Sequence, residues 1–176
     1  MHSYRNRLRR LLLAAGVLAT LGGCADLARE PDGIEVNEVR HLGTCGTESG
    51  AAAVTLLPTA NAVRDWQRAR GIDLTDGGAL PPGPFAVVEH GARNTGGYSV
   101  AVLRRARIAG DVVSLYASFL SPNSELRAQM LTSPCALVAL PPGDFRIVEL
   151  LDSVGRRRAI SNEPPPATAS SKTPAR

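Results

Sequence analysis

Histidine is scarce in this chain of 176 residues. Of three, His2 lies in the leader-like start, so only His41 and His90 remain for chemistry in the mature part. No Gly-x-Ser-x-Gly nucleophile elbow and no His-Glu-x-x-His zinc motif occurs. Serines and acids are plentiful, so counting alone leaves a Ser-His-Asp set open. Ser99 nevertheless reads as a cross-strand hydrogen-bonding residue, and His90 as a solvated strand terminus. The expectation is a protein that is not an enzyme. Cysteine is equally sparse, at Cys24, Cys45 and Cys135. With His2 in the leader-like start, two cysteines as far apart as Cys45 and Cys135 make a zinc site a poor expectation. No metal and no cofactor is expected. The apolar stretch from Leu11 to Leu21 is too short for a good transmembrane helix.

What is present at the start is an address. Arg5, Arg7, Arg9 and Arg10 precede the apolar stretch, which ends in Leu21-Gly22-Gly23-Cys24. A basic region, a short apolar region and small residues before a cleavage point make a secretory signal over residues 1–23. The ending resembles a bacterial lipobox, in which the cysteine becomes the first mature residue and carries the lipid. Cys24 is therefore the expected lipidation site, and the membrane, reached through that lipid, the first partner. The residue after it is Ala25 rather than Asp, which directs the expectation to the outer membrane, facing the periplasm. Residues 24–33 read as a tether.

Charge has to be recounted after cleavage. The chain holds 20 Lys and Arg against 16 Asp and Glu, and residues 1–23 account for four arginines and no acid. From Arg156 onward there are five basic residues against Glu163 alone. The part between is left acidic, so the high isoelectric point comes from the two ends. Nucleic acid is not an indicated partner. Residues 156–176 read as a disordered basic tail, too poor in apolar side chains to offset the cost of ordering.

The domain is expected over residues 34–155. Ile34–Val39 largely alternates apolar and polar residues, as a half-buried strand does. Ala51–Leu57 is a second strand. Thr59 is a helix N-cap, Ala62, Val63, Trp66 and Ala69 share one face, and Gly71 is the stop. Trp66 reads as a core plug between this helix and a sheet. Strands follow at Phe85–Glu89, Tyr98–Ile108, Val112–Leu120, Ala136–Leu140 and Phe145–Leu150, with Leu126–Leu131 ambiguous. Several short strands and one clear helix suggest an α+β fold: a small antiparallel sheet, open or sandwich-like, with one main helix packed on it. Cys45 and Cys135 are either a disulfide, closing a loop of about ninety residues, or two separate buried thiols. The sequence leaves both open.

The most distinctive stretch in the domain is Arg93-Asn94-Thr95-Gly96-Gly97-Tyr98. The glycines permit a tight corner and the tyrosine can anchor it. They precede a strand, whereas phosphate cradles lead into helices. The stretch is a candidate corner or a candidate binding loop. In order, a strand ending in Gly91, the Thr-Gly-Gly-Tyr-Ser-Val run from Thr95, a long strand, a hairpin and Thr132-Ser133-Pro134 resemble the C-terminal domain family of the protease complex subunit PrcB. Asn94 stands where that family commonly has Pro, and Cys135 where it commonly has an aromatic residue. The resemblance implies a non-catalytic envelope domain that associates with a protease. A weaker likeness, through Thr95, Gly97 and Tyr98, is to chagasin-type inhibitors of cysteine peptidases. It implies the alternative, an inhibitor whose 93–98 loop enters the enzyme, but their Arg-Pro-Trp loop has no counterpart here.

Overall fold

Phe85–Glu89 is the strand on which the molecule is built. All five residues are buried, because both of its faces are covered. The computed structural model of the chain describes residues 33–123 and 129–161. The signal peptide, Cys24, nearly all of the tether and the tail beyond Ser161 lie outside the described residues. The chain divides after Asp32, and the unit from Gly33 onward is the one described below.

Among the described residues eleven strands and one helix follow in order. They are β1 (Ile34–Glu35), β2 (Asn37–Leu42), β3 (Ala53–Leu57), α1 (Ala60–Arg70), β4 (Phe85–Glu89), β5 (Arg93–Thr95), β6 (Ser99–Ala109), β7 (Val112–Leu120), β8 (Gln129–Thr132), β9 (Cys135–Ala139), β10 (Ile147–Asp152) and β11 (Arg157–Ile160). One sheet has the order β1-β6-β7-β10-β11, a second β2-β9-β4-β3, and β5 and β8 form a separate ribbon. All pairs are antiparallel except β7 with β10.

The main core lies between the two sheets. Alternate residues point inward: Val100, Val113, Leu115, Ala117, Val148 and Leu150 from one sheet meet Val54, Ala86, Val88, Ala136 and Val138 from the other. The odd residues of β4, Phe85 and Val87, face the other way. With Leu137 of β9 they form a second cluster under α1, which contributes Val63 and, half-buried, Trp66.

This corrects the expected α+β class. The domain is mostly β, a two-sheet sandwich with a ribbon, and α1 is a short outer cover. The principal core is formed by sheet against sheet and includes no residue of the helix. The helix ends themselves follow from local chemistry. Thr59 accepts the Ala62 amide, and Gly71 closes the last turn by donating to the carbonyls of Arg68 and Gln67.

Two further boundaries differ from expectation. The expected strand Ile34–Val39 is two strands, and the second runs on to Leu42. The chain turns at Val36, whose amide donates to the Arg104 carbonyl, so that β1 joins the first sheet and β2 the second. Val36 is buried at this crossing. At the other end, the domain does not stop at 155. Arg157–Ile160 pairs with β10, and the Ser161 hydroxyl accepts the Val148 amide. The stretch that reads as the start of a basic tail is an edge strand with outward arginines, a composition suited to discouraging unwanted strand pairing.

Candidate functional site

The end of β4 organises the site. His90 and Gly91 follow Glu89, and the His90 amide donates to the Pro134 carbonyl. That bond places Thr132-Ser133-Pro134 beside the Gly91–Tyr98 stretch, so two segments distant in sequence form one unit. Each residue of the Thr-Ser-Pro run has a bonding role. The Thr132 hydroxyl donates to the Thr95 carbonyl at 3.0 Å. The Ser133 hydroxyl accepts the amides of Cys45 and Gly46, each at 2.9 Å. The Pro134 carbonyl takes His90.

The six residues of the candidate loop are brought together, but not as a free loop. Arg93, Asn94 and Thr95 are β5, paired with β8. The reason is the anchoring of Arg93, whose guanidinium donates to the carbonyls of Gly50 and Ala92, both at 2.7 Å, and of His90 at 3.1 Å. Three carbonyls on one guanidinium hold the start of the strand as a rigid fork. Asn94 is exposed. Thr95 acts through its carbonyl rather than through its side chain. Gly96 lies beside Met130, and Gly97 beside Pro122, where an added Cβ would come within 2.7 Å of the proline side chain. Tyr98 is half-buried.

Tyr98 packs on His90, not on the Trp66 helix. The rings meet edge to face with centroids 5.5 Å apart, and Phe119 meets the imidazole at 5.4 Å from β7. Outside this triple stack stand two arginines, Arg93 over the Tyr98 ring and Arg158 over the Phe119 ring at 4.8 Å. His90 is only 4% exposed, which corrects its reading as a solvated terminus. The cause is the sheet-on-sheet packing: His90 continues the inward phase of Ala86 and Val88.

Among the described residues neither imidazole nitrogen has a hydrogen-bond partner. Burial, and then the charges of Arg93 and Arg158, hold the His90 pKa below the ordinary histidine value, although the carbonyls of His90 itself and Leu120 act in the opposite sense. The ring is therefore neutral at neutral pH. A group whose pKa is depressed by folding stabilises the fold above its unfolded pKa, and that contribution is lost as pH falls through the folded one. Unfolding free energy should thus decline as pH drops below about 6.5. His90→Phe, which keeps a ring between Tyr98 and Phe119, should flatten that decline. Chemical denaturation between pH 7 and pH 5 measures it. An unchanged slope in the variant would assign the effect elsewhere. The acids have a separate window. The Arg156 amide, the Val154 amide and the charges of Arg156 and Arg158 hold Asp152 below the usual carboxylate range, so its effect falls at much lower pH.

On the helix side of β4, Cys45 and Cys135 are joined as a disulfide with Cα atoms 6.0 Å apart. Beside it Glu89, with 3% of its side chain exposed, accepts the Arg70 guanidinium at 2.7 Å. Arg70 also lies over the Trp66 ring at 4.1 Å. Among the described residues no group of three or more His, Cys, Asp or Glu is placed to hold a metal ion.

These contacts unite the ordered features along the chain: a buried β4, the Gly-Gly-Tyr corner, the β6–β7 hairpin and the Thr-Ser-Pro clasp. Residues 85–141 match the family model described as PrcB C-terminal. The matched PrcB C-terminal stretch begins at β4 and ends just after β9, so it takes in the His90 stack, the ribbon and both motifs. The helix, β3 and the β10–β11 pair lie outside it. Comparison with curated proteins and with solved structures finds no match. Sequence reasoning missed His90, Phe119 and Arg158 as one cluster. The Thr132-Ser133-Pro134 run was the available signal for the clasp.

Proposed function

We propose that the protein is a non-catalytic envelope lipoprotein, anchored by lipid on Cys24 at the outer membrane facing the periplasm, whose domain serves as an accessory of a protease complex. The observation that carries this reading is the match of residues 85–141 to the PrcB C-terminal family. The arrangement of the site supports a role in contact rather than in reaction. Its buried histidine, His90, is enclosed by aromatic rings, with no nucleophile hydrogen-bonded to it among the described residues. The inhibitor alternative requires a projecting 93–98 wedge. Arg93 bound to three carbonyls and Tyr98 stacked on His90 favour a braced corner instead.

The test is a crosslinked pull-down of the lipidated protein from its own envelope. Recovery of a protease, retained by wild type and lost in a Cys24→Ala form that cannot be lipidated, is the expected result. Recovery of no protease by either form would overturn the accessory reading. Equal recovery by both would overturn the requirement for the anchor.

A further inference from the structure

Among the described residues, the two ring nitrogens of His90 are the buried side-chain atoms left without a hydrogen-bond partner. An unpaired buried polar group costs stability, so its retention calls for a reason. Its surroundings supply one. Tyr98 meets the imidazole from the corner and Phe119 from β7, and each of those rings carries a guanidinium, Arg93 at 5.6 Å and Arg158 at 4.8 Å. The charges acting on the imidazole are both positive. The acids of the adjoining strands are committed elsewhere. Glu89 of β4 faces the helix and accepts Arg70. Asp152 of β10 accepts the amides of Val154 and Arg156 and pairs with the Arg156 and Arg158 guanidiniums. The carbonyls of His90 itself and Leu120 are the groups that favour a proton.

A proton on His90 thus adds a third positive charge to two, inside the sandwich. The two existing charges differ in freedom. Arg158 lies on an edge strand, with 43% of its side chain exposed, and can turn away into water. Arg93 cannot, because the Gly50, Ala92 and His90 carbonyls hold it. The repulsion that remains therefore bears on the Arg93 fork. That fork sits in a short segment between two residues of positive φ, Gly91 at +89° and Gly97 at +87°. No residue from 91 to 98 belongs to either buried core cluster, so this segment can leave while the sheets stay packed.

We propose that the stack is an acid-operated latch: a proton on His90 releases the Gly91–Tyr98 corner while the two-sheet core stays folded. The corner is braced at neutral pH and freed as pH falls below about 6.5. The low pKa of the enclosed ring acts in the same direction, since the open form binds the proton more readily and acid therefore favours it. The latch stands independently of the accessory reading.

Amide exchange of the full lipidated chain in detergent, corrected for intrinsic rates, tests it. The Ala92 amide donates to the Ser49 carbonyl and reports on the corner. Its protection should fall about tenfold between pH 7 and pH 5. At both pH values it should stay about a hundredfold or more below that of Val87 and Leu115 in the core. His90→Phe should abolish the acid response. His41→Gln, which removes the other histidine of the domain, should leave it unchanged. The wild-type imidazole resonance supplies a second measurement: Ala92 protection should fall over the pH range in which His90 takes up its proton. Equal protection of corner and core would mean that the molecule opens as a whole, and overturns the latch. So does an acid response retained in His90→Phe or lost in His41→Gln, or Ala92 protection that stays constant as the His90 ring is protonated.

Discussion

Replacing Cys45 and Cys135 together by alanine is expected to lower the unfolding free energy by about 4 kcal/mol. The bond spans 90 residues of sequence, and a cross-link of that length removes a large share of the unfolded chain's freedom. For a domain of this size the loss corresponds to a fall in melting temperature on the order of 15 °C. Both cysteines are fully buried, so a reductant should act on the folded protein only as fast as it opens. The bond also ties the loop at residues 44–46 to Ser133, next to the clasp that holds the corner. Thermal unfolding of the double variant, compared with wild type with and without reductant, measures the effect. A loss under about 1 kcal/mol would mean that the loop is held by the Ser133 bonds alone.

Gly91→Ala is the second large effect, expected to cost about 3 kcal/mol or more. Gly91 has φ +89°, and an added Cβ would lie 2.6 Å from the Ala51 carbonyl oxygen and 2.7 Å from that of Gly50. Both obstacles are backbone, and Arg93 holds the Gly50 carbonyl in place. The neighbourhood therefore cannot yield by turning a side chain. Gly110→Ala is the control. Gly110 also has positive φ, at +63°, but nothing lies within 4 Å of its Cβ position. Its substitution should cost only the backbone term, about 1–2 kcal/mol. Equal losses in the two variants would remove the steric argument for Gly91.

Much of the local structure was legible because local chemistry decides it. Thr59 and Gly71 bound the helix as their side-chain and backbone preferences dictate, and Phe85–Glu89 and Val112–Leu120 read as strands from apolar character alone. The α+β expectation fails because one well-capped helix is conspicuous in a sequence, whereas the pairing of two sheets is not. The break at Val36 is marked only by the two successive polar residues Asn37 and Glu38, too small an interruption to tell a change of sheet from a bulge. β11 was hidden by its arginines, which are the normal dress of an edge.

The site was half legible for a similar reason. Gly96, Gly97 and Tyr98 announced a corner by their own conformational needs. The burial of His90 depends on Tyr98, Phe119 and Arg158, which arrive from three other parts of the chain. Arg93-Asn94-Thr95 lacks apolar alternation altogether. It becomes a strand because Arg93 is fixed by three carbonyls and Thr95 by Thr132.

The crossing at Val36 has a mechanical consequence. Consider a force applied to the chain at Gly33. Load entering at Gly33 passes along β1, which is bonded to β6, and at once into β2, which is bonded to β9. Pulled lengthwise, the two paired positions of β1 and the longer β2–β9 ladder behind them bear the load side by side. A ladder pulled open from one end would lose them singly. Because β1 belongs to one sheet and β2, directly after it, to the other, the force is passed to both halves of the sandwich.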